Sequence, residues 1–128
     1  MDGEPFQIRG HGYQTRTFCY VTDAIEGFLR VLLSGIPSER YNIGIPSPEI
    51  SIKELAKEIR KPLGNKPEEF DIVDYYVTYS ADEPNRRCPD ISKAATQLRY
   101  GPRIGLDGGL ERFFGWAGDF INNKNLCA

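Results

Sequence analysis

Gln14 and Arg16 are the side chains in this sequence best suited to holding an anion. They stand two residues apart, so on an extended segment both side chains point to the same side. Gly10 and Gly12 precede them, and glycine lets a backbone approach a ligand closely. An amide and a planar guanidinium beside such a backbone suit the oxygens of a phosphate or diphosphate. The same residues would also fit a surface hairpin that carries one solvated arginine.

Short strands are expected on both sides of this turn. Residues 6–9 alternate apolar and polar, which predicts a strand with Gln7 on the face opposite Phe6 and Ile8. Residues 17–21 are rich in strand-forming residues and predict a second strand directly after the turn. The candidate anion-binding side chains would then lie where a flexible turn enters a strand.

Apolar residues at helical spacing predict four amphipathic helices. The first begins near residue 22 or 23, ends near residue 33, and is expected to bury its apolar face. That face consists of Ala24, Ile25, Phe28, Leu29, Leu32 and Leu33. The other three helices are expected to begin near residues 51, 90 and 106.

Local chemistry supports the helix starts, and two further strands are predicted. Ser51 and Glu54 have the spacing of a capping box at the start of the second helix. Asp23 is expected to act as a cap or first-turn acid of the first helix. Residues 40–43 and 70–79 contain β-branched or aromatic residues and are expected to form strands.

Composition narrows the class of protein. A chain of 128 residues has room for a single domain with a modest core, here taken as residues 1–128. The formal net charge of −2 argues against a nucleic-acid binder, and no apolar run approaches the roughly 18 residues of a membrane span. Three scattered cysteines and one histidine favour a cytoplasmic protein with reduced thiols and no metal site.

The turn and two later stretches share their order and spacing with a known family. The first block is Gly-x-Gly-x-Gln-x-Arg-x-Phe-x-Tyr-Val-x-Asp at residues 10–23. The second runs from Tyr-Asn-Ile-Gly at 41–44 through Glu-Ile-Ser-Ile-Lys-Glu-Leu-Ala at 49–56, and the third is Arg-Arg-Cys-Pro-Asp-Ile-Ser-Lys-Ala at 86–94. Together they resemble the C-terminal, substrate-binding part of the extended short-chain dehydrogenase/reductases. These are the NAD-dependent nucleotide-sugar epimerases, dehydratases and decarboxylases.

The resemblance extends over residues 5–121 and is greatest to UDP-glucuronate decarboxylases and dTDP-sugar dehydratases. It implies an α+β fold of short strands with four amphipathic helices, without the N-terminal Rossmann half that binds the nucleotide cofactor. His11 departs from the family pattern, since an acidic residue usually stands at that position. This departure leaves both arginine-bearing blocks intact.

The resemblance also implies a substrate-binding site. It assigns Arg16 to the diphosphate of a nucleotide sugar, with Gln14 beside it, and Arg87 to the diphosphate or the sugar acid. Gln7 falls where family members place a side chain near the nucleotide. Two guanidinium groups can neutralise the roughly two negative charges of a diphosphate through bidentate hydrogen bonds. Arg86 is expected to be solvated.

A plainer interpretation of the same residues remains open. Arg86 and Arg87 could be a solvated pair in a loop, and Arg16 could pair with a carboxylate such as Asp23. Only the first interpretation predicts that Arg16 and Arg87 face a common cavity.

The motifs of redox catalysis in this family are not found in the sequence. The family holds NAD with a Gly-x-x-Gly-x-x-Gly turn at a helix N-terminus and activates a phenol with a Tyr-x-x-x-Lys pair. Neither pattern occurs among these 128 residues. The sequence therefore predicts no catalytic and no cofactor-binding residue, and NAD is expected only in a full-length or complemented enzyme.

Three functional hypotheses follow. The first is the nucleotide-sugar-binding portion of a truncated or split epimerase, dehydratase or decarboxylase that is catalytically silent alone. The second is a self-association or protein-interaction module on a relic of the same scaffold. The third is one part of a split enzyme whose NAD-binding half is a separate partner. The base, the sugar and the reaction remain open.

Overall fold

The computed structural model describes residues 6–34, 37–63, 70–73 and 84–124. Within these ranges, short strands and α-helices follow one another along the chain. The described part is therefore a mixed α/β arrangement, which agrees with the expected mixture of short strands and helices.

The strands form two small sheets. In the first, β1 (Phe6–Arg9) pairs in parallel with β4 (Phe70–Val73). In the second, β2 (Thr15–Arg16) lies between β3 (Ile50–Ser51), which is antiparallel to it, and β5 (Arg86–Arg87), which is parallel. We call the second sheet the arginine sheet. Because two of the three pairings are parallel, helices and other segments must return the chain between the paired strands.

Four α-helices occur in the described ranges, at the positions that the sequence predicts. They are α1 (Val21–Ser34), α2 (Ile52–Arg60), α3 (Ser92–Leu98) and α4 (Leu106–Lys124). A single 3-10 turn, Lys61–Leu63, follows α2. None of these helices is both long and apolar enough to cross a bilayer.

The predicted capping box of α2 is confirmed. The Ser51 hydroxyl oxygen accepts the backbone N–H of Glu54 at 3.1 Å, and the Glu54 carboxylate accepts the backbone N–H of Ser51 at 2.8 Å. Both bonds satisfy amides at the helix start that have no partner within the helix. The hydrogen bonds to Ser51 hold the pKa of the Glu54 carboxyl below its usual value. The start of α2 is thus fixed directly beside the arginine sheet.

A small apolar cluster lies where α3 meets α1. Its members are Ala94, Leu98 and Tyr100, and we call it the core cluster. Val31 of α1 packs against the cluster, as do Tyr41 and Ile43. The cluster therefore joins three separate segments of the chain.

Gly27 permits the close approach of α1 to this cluster. A Cβ placed on Gly27 would lie 2.3 Å from Cγ2 of Ile43 and 3.0 Å from Cε2 of Tyr100. Real Cβ atoms do not approach heavy atoms so closely, because such distances lie inside van der Waals contact. The absence of a side chain at Gly27 is thus required by the packing of α1.

The expectation that α1 buries its apolar face is wrong. Asp23 and Gly27 are its buried residues, whereas Leu32 is 74% and Leu33 80% exposed. The outer face of α1, as we name it, carries six apolar side chains that are at least half exposed. They are Val21, Ile25, Phe28, Leu29, Leu32 and Leu33. The helix is rotated this way because its small and acidic side fits against the rest of the described chain.

Two predicted strands also differ from the structure. The strand expected at residues 17–21 lies earlier, at Thr15–Arg16, because the pairing residues of β3 and β5 are opposite that position. Residues 40–43 form no strand; Tyr41 and Ile43 instead pack against the core cluster. The strand expected at 70–79 is present at Phe70–Val73, and its remaining residues lie outside the described ranges.

Candidate functional site

Arg16 and Arg87 lie side by side in the arginine sheet. They are directly opposite each other in the register of the parallel strands β2 and β5, so their side chains leave the same face of the sheet. Both line one cavity of about 440 Å³, which we call the arginine cavity. Its lining residues are Arg16, Thr17, Cys19, Ile43, Gly44, Ile45, Arg87, Cys88 and Pro89. The structure therefore brings together two arginines that are 71 positions apart in the sequence (87 − 16).

The Arg16 guanidinium is held by the backbone at the start of β5. Its Nη1 donates to the carbonyl oxygens of Thr15 at 2.7 Å and Asn85 at 3.3 Å, and its Nη2 donates to that of Pro84 at 2.8 Å. Backbone contacts of this kind restrict the rotamers of a long side chain and so reduce the entropy lost when a ligand binds.

The alternative pairing of Arg16 with Asp23 does not occur. The Asp23 carboxylate is buried, and its Oδ2 accepts the backbone N–H of Arg103 at 3.0 Å and of Ile104 at 2.8 Å. Asp23 lies in the first turn of α1, as predicted, but its hydrogen bonds reach the segment before α4. Its observed role is to attach α1 to that segment.

Arg86 is exposed, as expected, and it also pairs with Glu49, which the sequence did not predict. Its Nε lies 2.9 Å from Oε1 of Glu49, and its Nη2 lies 2.7 Å from Oε2, although the side chain is largely exposed. The Thr15 hydroxyl donates to the same carboxylate at 2.5 Å. Hydrogen bonds from Arg86, and then from Thr15, hold the pKa of the Glu49 carboxyl below its usual value.

Gln14 and Gln7 do not line the arginine cavity. Gln14 is buried, and its Nε2 donates to the carbonyl oxygen of Arg9 at 3.3 Å, so the side chain supports the turn between β1 and β2. Gln7 is exposed on β1, in the other sheet. Two of the four predicted substrate-binding residues thus share a cavity, and a role in binding remains a prediction for all four.

Tyr100, which sequence reasoning did not single out, contacts two lining residues of the arginine cavity. Tyr100 donates its hydroxyl to the carbonyl oxygen of Gly44 at 3.0 Å, and Sγ of Cys19 lies 3.7 Å from the same hydroxyl. Burial raises the pKa of both the Tyr100 hydroxyl and the Cys19 thiol. These groups are therefore neutral near pH 7 and bring no charge to the cavity.

Gly44 forms a tight part of the cavity wall. A Cβ at this position would lie 3.0 Å from Cγ of Pro89, another lining residue. The sequence contained a signal for this wall, since Gly44 ends the Tyr-Asn-Ile-Gly stretch and Pro89 follows closely after Arg87. Glycine and proline do not suggest ligand binding by themselves, so the sequence alone does not identify this wall as part of a site.

The glycines of the first turn do not fit a dinucleotide site. Gly10 and Gly12 both have positive φ, at 69° and 72°, and turn the chain between β1 and β2. A Cβ on Gly12 would lie 2.9 Å from Cγ2 of Ile8, so this glycine serves packing against β1. A dinucleotide pyrophosphate requires a glycine turn that leads straight into a helix, whereas α1 begins only at Val21. The two glycines therefore serve the turn and its packing, and their geometry does not fit NAD.

Comparison with protein families and sequences identifies related proteins. Residues 1–44 match the model of the NAD dependent epimerase/dehydratase family. The chain is 39% identical over 110 residues to UDP-glucuronic acid decarboxylase 6 of Arabidopsis thaliana. The aligned residues cover 86% of this chain and 30% of the relative. It is 36% identical over 122 residues to the dTDP-D-glucose 4,6-dehydratase of Homo sapiens, with 93% of this chain and 34% of the relative covered.

Solved structures of similar enzymes also match the fold of the chain. A UDP-glucuronic acid 4-epimerase from Bacillus cereus, in complex with UDP-glucuronic acid and NAD, matches with a TM-score of 0.70 and 32% identity over 86% of this chain and 34% of that one. A dTDP-glucose 4,6-dehydratase from Bacillus anthracis matches in fold, with a TM-score of 0.81 and 23% identity over 92% of this chain and 36% of that one. The chain spans about a third of the length of these proteins.

The chain is thus similar to part of the NAD-dependent epimerase/dehydratase family proteins, and the family model itself matches residues 1–44. It is similar to UDP-glucuronic acid decarboxylases and dTDP-glucose dehydratases. Its mixed α/β fold, with parallel strands, matches the extended short-chain dehydrogenase/reductase fold over part of those proteins.

Proposed function

We propose that this chain is the nucleotide-sugar-binding, C-terminal portion of an NAD-dependent epimerase, dehydratase or decarboxylase and is catalytically silent alone. The observation that supports this most directly is the in-register pairing of Arg16 and Arg87 on one cavity. Two positively charged side chains that line one cavity favour an anionic ligand there. A nucleoside diphosphate sugar supplies such an anion.

The size and walls of the cavity support a ligand of this class. A volume of about 440 Å³ lies within the range of small-molecule pockets, roughly 300–1,000 Å³. Ile43, Ile45 and Pro89 provide apolar wall, while the arginines provide directional donors. A sugar ring has both apolar and hydroxyl-bearing surface and would suit this mixture.

Affinity is expected to be weak in the isolated chain. The chain spans about a third of its relatives, so other walls of the pocket and the NAD site would come from the remainder of an enzyme. The arginines should nevertheless supply most of the binding that is present. A hydrogen bond to a charged group contributes about 1.5–3 kcal/mol, and about 1.4 kcal/mol is a tenfold change in affinity.

Calorimetric titration with UDP-, dTDP- and GDP-sugars tests this proposal. Arg16→Ala and Arg87→Ala are each expected to weaken binding of UDP-glucuronic acid by about tenfold or more, since each removes charge-assisted hydrogen bonds. Arg40→Ala is the matched control, because Arg40 is an exposed arginine that does not line the cavity. Unchanged affinity in both cavity variants would contradict the proposal.

A second candidate function is a self-association or protein-interaction module. The outer face of α1 supports it, since six apolar side chains on one helix are at least half exposed and contiguous apolar surface marks interaction sites. Leu32→Glu is expected to reduce concentration-dependent sedimentation, because it places a charge on this face, in the last turn of α1. Ser34→Glu adds the same charge at an exposed polar position of α1 and serves as control. Sedimentation as a monomer at all concentrations by the unaltered chain would count against this candidate.

A further inference from the structure

A single carboxylate, that of Glu49, contacts side chains from both arginine-bearing strands of the arginine sheet. Glu49 directly precedes β3, and its oxygens accept from Thr15 of β2 and Arg86 of β5. We propose that Glu49 is a positioning residue that sets the register of β2 against β5 and so holds Arg16 beside Arg87. Its importance for ligand binding rests on the proposed function, whereas its effect on register does not.

The geometry at Glu49 is that of a specific contact. Arg86 approaches with Nε at 2.9 Å from Oε1 and Nη2 at 2.7 Å from Oε2, which is the two-pronged arrangement of an arginine–carboxylate pair. Thr15 donates its hydroxyl to Oε1 at 2.5 Å. This planar pairing fixes the direction of both groups, which a lysine in place of Arg86 could not do.

The contact lies on the side of the sheet opposite the arginine cavity. Thr15 is directly opposite Arg86 in the register, and Arg16 is directly opposite Arg87. Successive side chains of a strand point to opposite faces, so the pair held by Glu49 and the pair facing the cavity are on different faces. Neither Glu49 nor Arg86 lines the cavity, so Glu49 acts on Arg16 and Arg87 through the strands that carry them.

The strands themselves are too short to fix this register strongly. β2, β3 and β5 contain two residues each, so the sheet offers few ladder hydrogen bonds. A slip of one residue would move every side chain of the slipped strand to the other face and separate the cavity arginines. Arg16 and Arg87 also carry like charges, whose repulsion favours such a separation. A contact that spans the strands from the opposite face counters both tendencies.

Glu49→Gln provides the central test, since it keeps the size of the side chain and removes its charge and one of its acceptor oxygens. In NMR spectra of the unligated chain, we expect at least a threefold loss in intensity of the backbone cross-strand NOEs between residues 15–16 and 86–87. Signals of the core cluster should be unchanged. Glu39→Gln is the matched control, because Glu39 forms an ion pair with Lys93 away from the sheet. Full retention of these NOEs in Glu49→Gln would overturn the inference.

The charge-swapped variant Glu49→Arg with Arg86→Glu separates positioning from a general loss of fold. It restores opposite charges at the same two positions and is expected to recover at least half of the lost NOE intensity. Failure to recover any, with the core cluster still folded, would contradict an electrostatic contact that sets the register.

Titration with UDP then distinguishes this inference from the proposed function. If the unaltered chain binds UDP, Glu49→Gln should weaken binding about tenfold, and adding it to Arg87→Ala should weaken binding less than twofold further. Fully additive losses would show that Glu49 does not act through the arginine pair. If the unaltered chain shows no UDP binding while the NOEs behave as expected, the proposed function fails and the role of Glu49 in register stands.

Discussion

The core cluster and the outer face of α1 contain the same kinds of side chain and have opposite exposure. Leu98 is 5% exposed, whereas Leu32 is 74% exposed. The difference arises from neighbours, since α1 uses Gly27 and Asp23 to approach the core cluster and the segment before α4. Hydrophobicity alone therefore does not decide which side of α1 is buried. The buried side is the one where Gly27 permits close approach of the backbone.

The exposed face of α1 can also be compared with the share of its relatives that the chain spans. An apolar face that is exposed here, in a chain spanning about a third of its relatives, is the surface expected where a covering element belongs to another part of a larger protein. The arginine sheet differs, because the guanidinium groups of Arg16 and Arg86 have hydrogen-bond partners among the described residues.

The largest expected effect separates two leucines. Leu98→Ala should lower the free energy of unfolding by about 2–5 kcal/mol, because it leaves a cavity in the core cluster. Leu32→Ala should change it by less than about 0.5 kcal/mol, because the side chain already contacts water. Urea denaturation at low protein concentration measures both values. Equal losses would show that the outer face of α1 is covered in solution and would break the comparison.

A smaller effect is expected from two glycines. Gly27→Ala should destabilise the chain by about 1–3 kcal/mol, because the new methyl group would overlap Ile43. Gly115→Ala in α4 should stabilise it by up to about 1 kcal/mol, because alanine favours helix and a Cβ there meets nothing within 4 Å. Thermal denaturation distinguishes the signs. Stabilisation by both substitutions would mean that α1 does not approach Ile43 as described.

The sequence predicted the helices well because their signals are local. Periodic apolar residues located all four, and the capping box of Ser51 and Glu54 located the start of α2. Strand positions were less predictable, since a two-residue strand such as β2 is defined by its partners and not by its own composition. The predicted orientation of α1 was wrong for a related reason. Periodicity identifies an apolar face but does not identify what covers it.

The candidate site shows the same limit. The resemblance singled out Arg16 and Arg87, and their adjacency became visible only through the pairing of β2 with β5. The ion pair of Arg86 was not predicted because its partner, Glu49, is 37 residues away in the sequence. Gln14 was identified for a ligand, and its buried side chain donates to the backbone of Arg9, which no spacing rule indicates.

The buried carboxylate of Asp23 joins α1 to the segment that leads into α4. Its two hydrogen bonds hold the amides of Arg103 and Ile104, and Glu26 adds an ion pair to the Arg103 side chain at 3.2 Å. A protein that binds the outer face of α1 would therefore also stabilise the residues that lead into α4. Binding to α1 would then be detectable as slower hydrogen exchange at the amides of Arg103 and Ile104, which lie outside the binding surface.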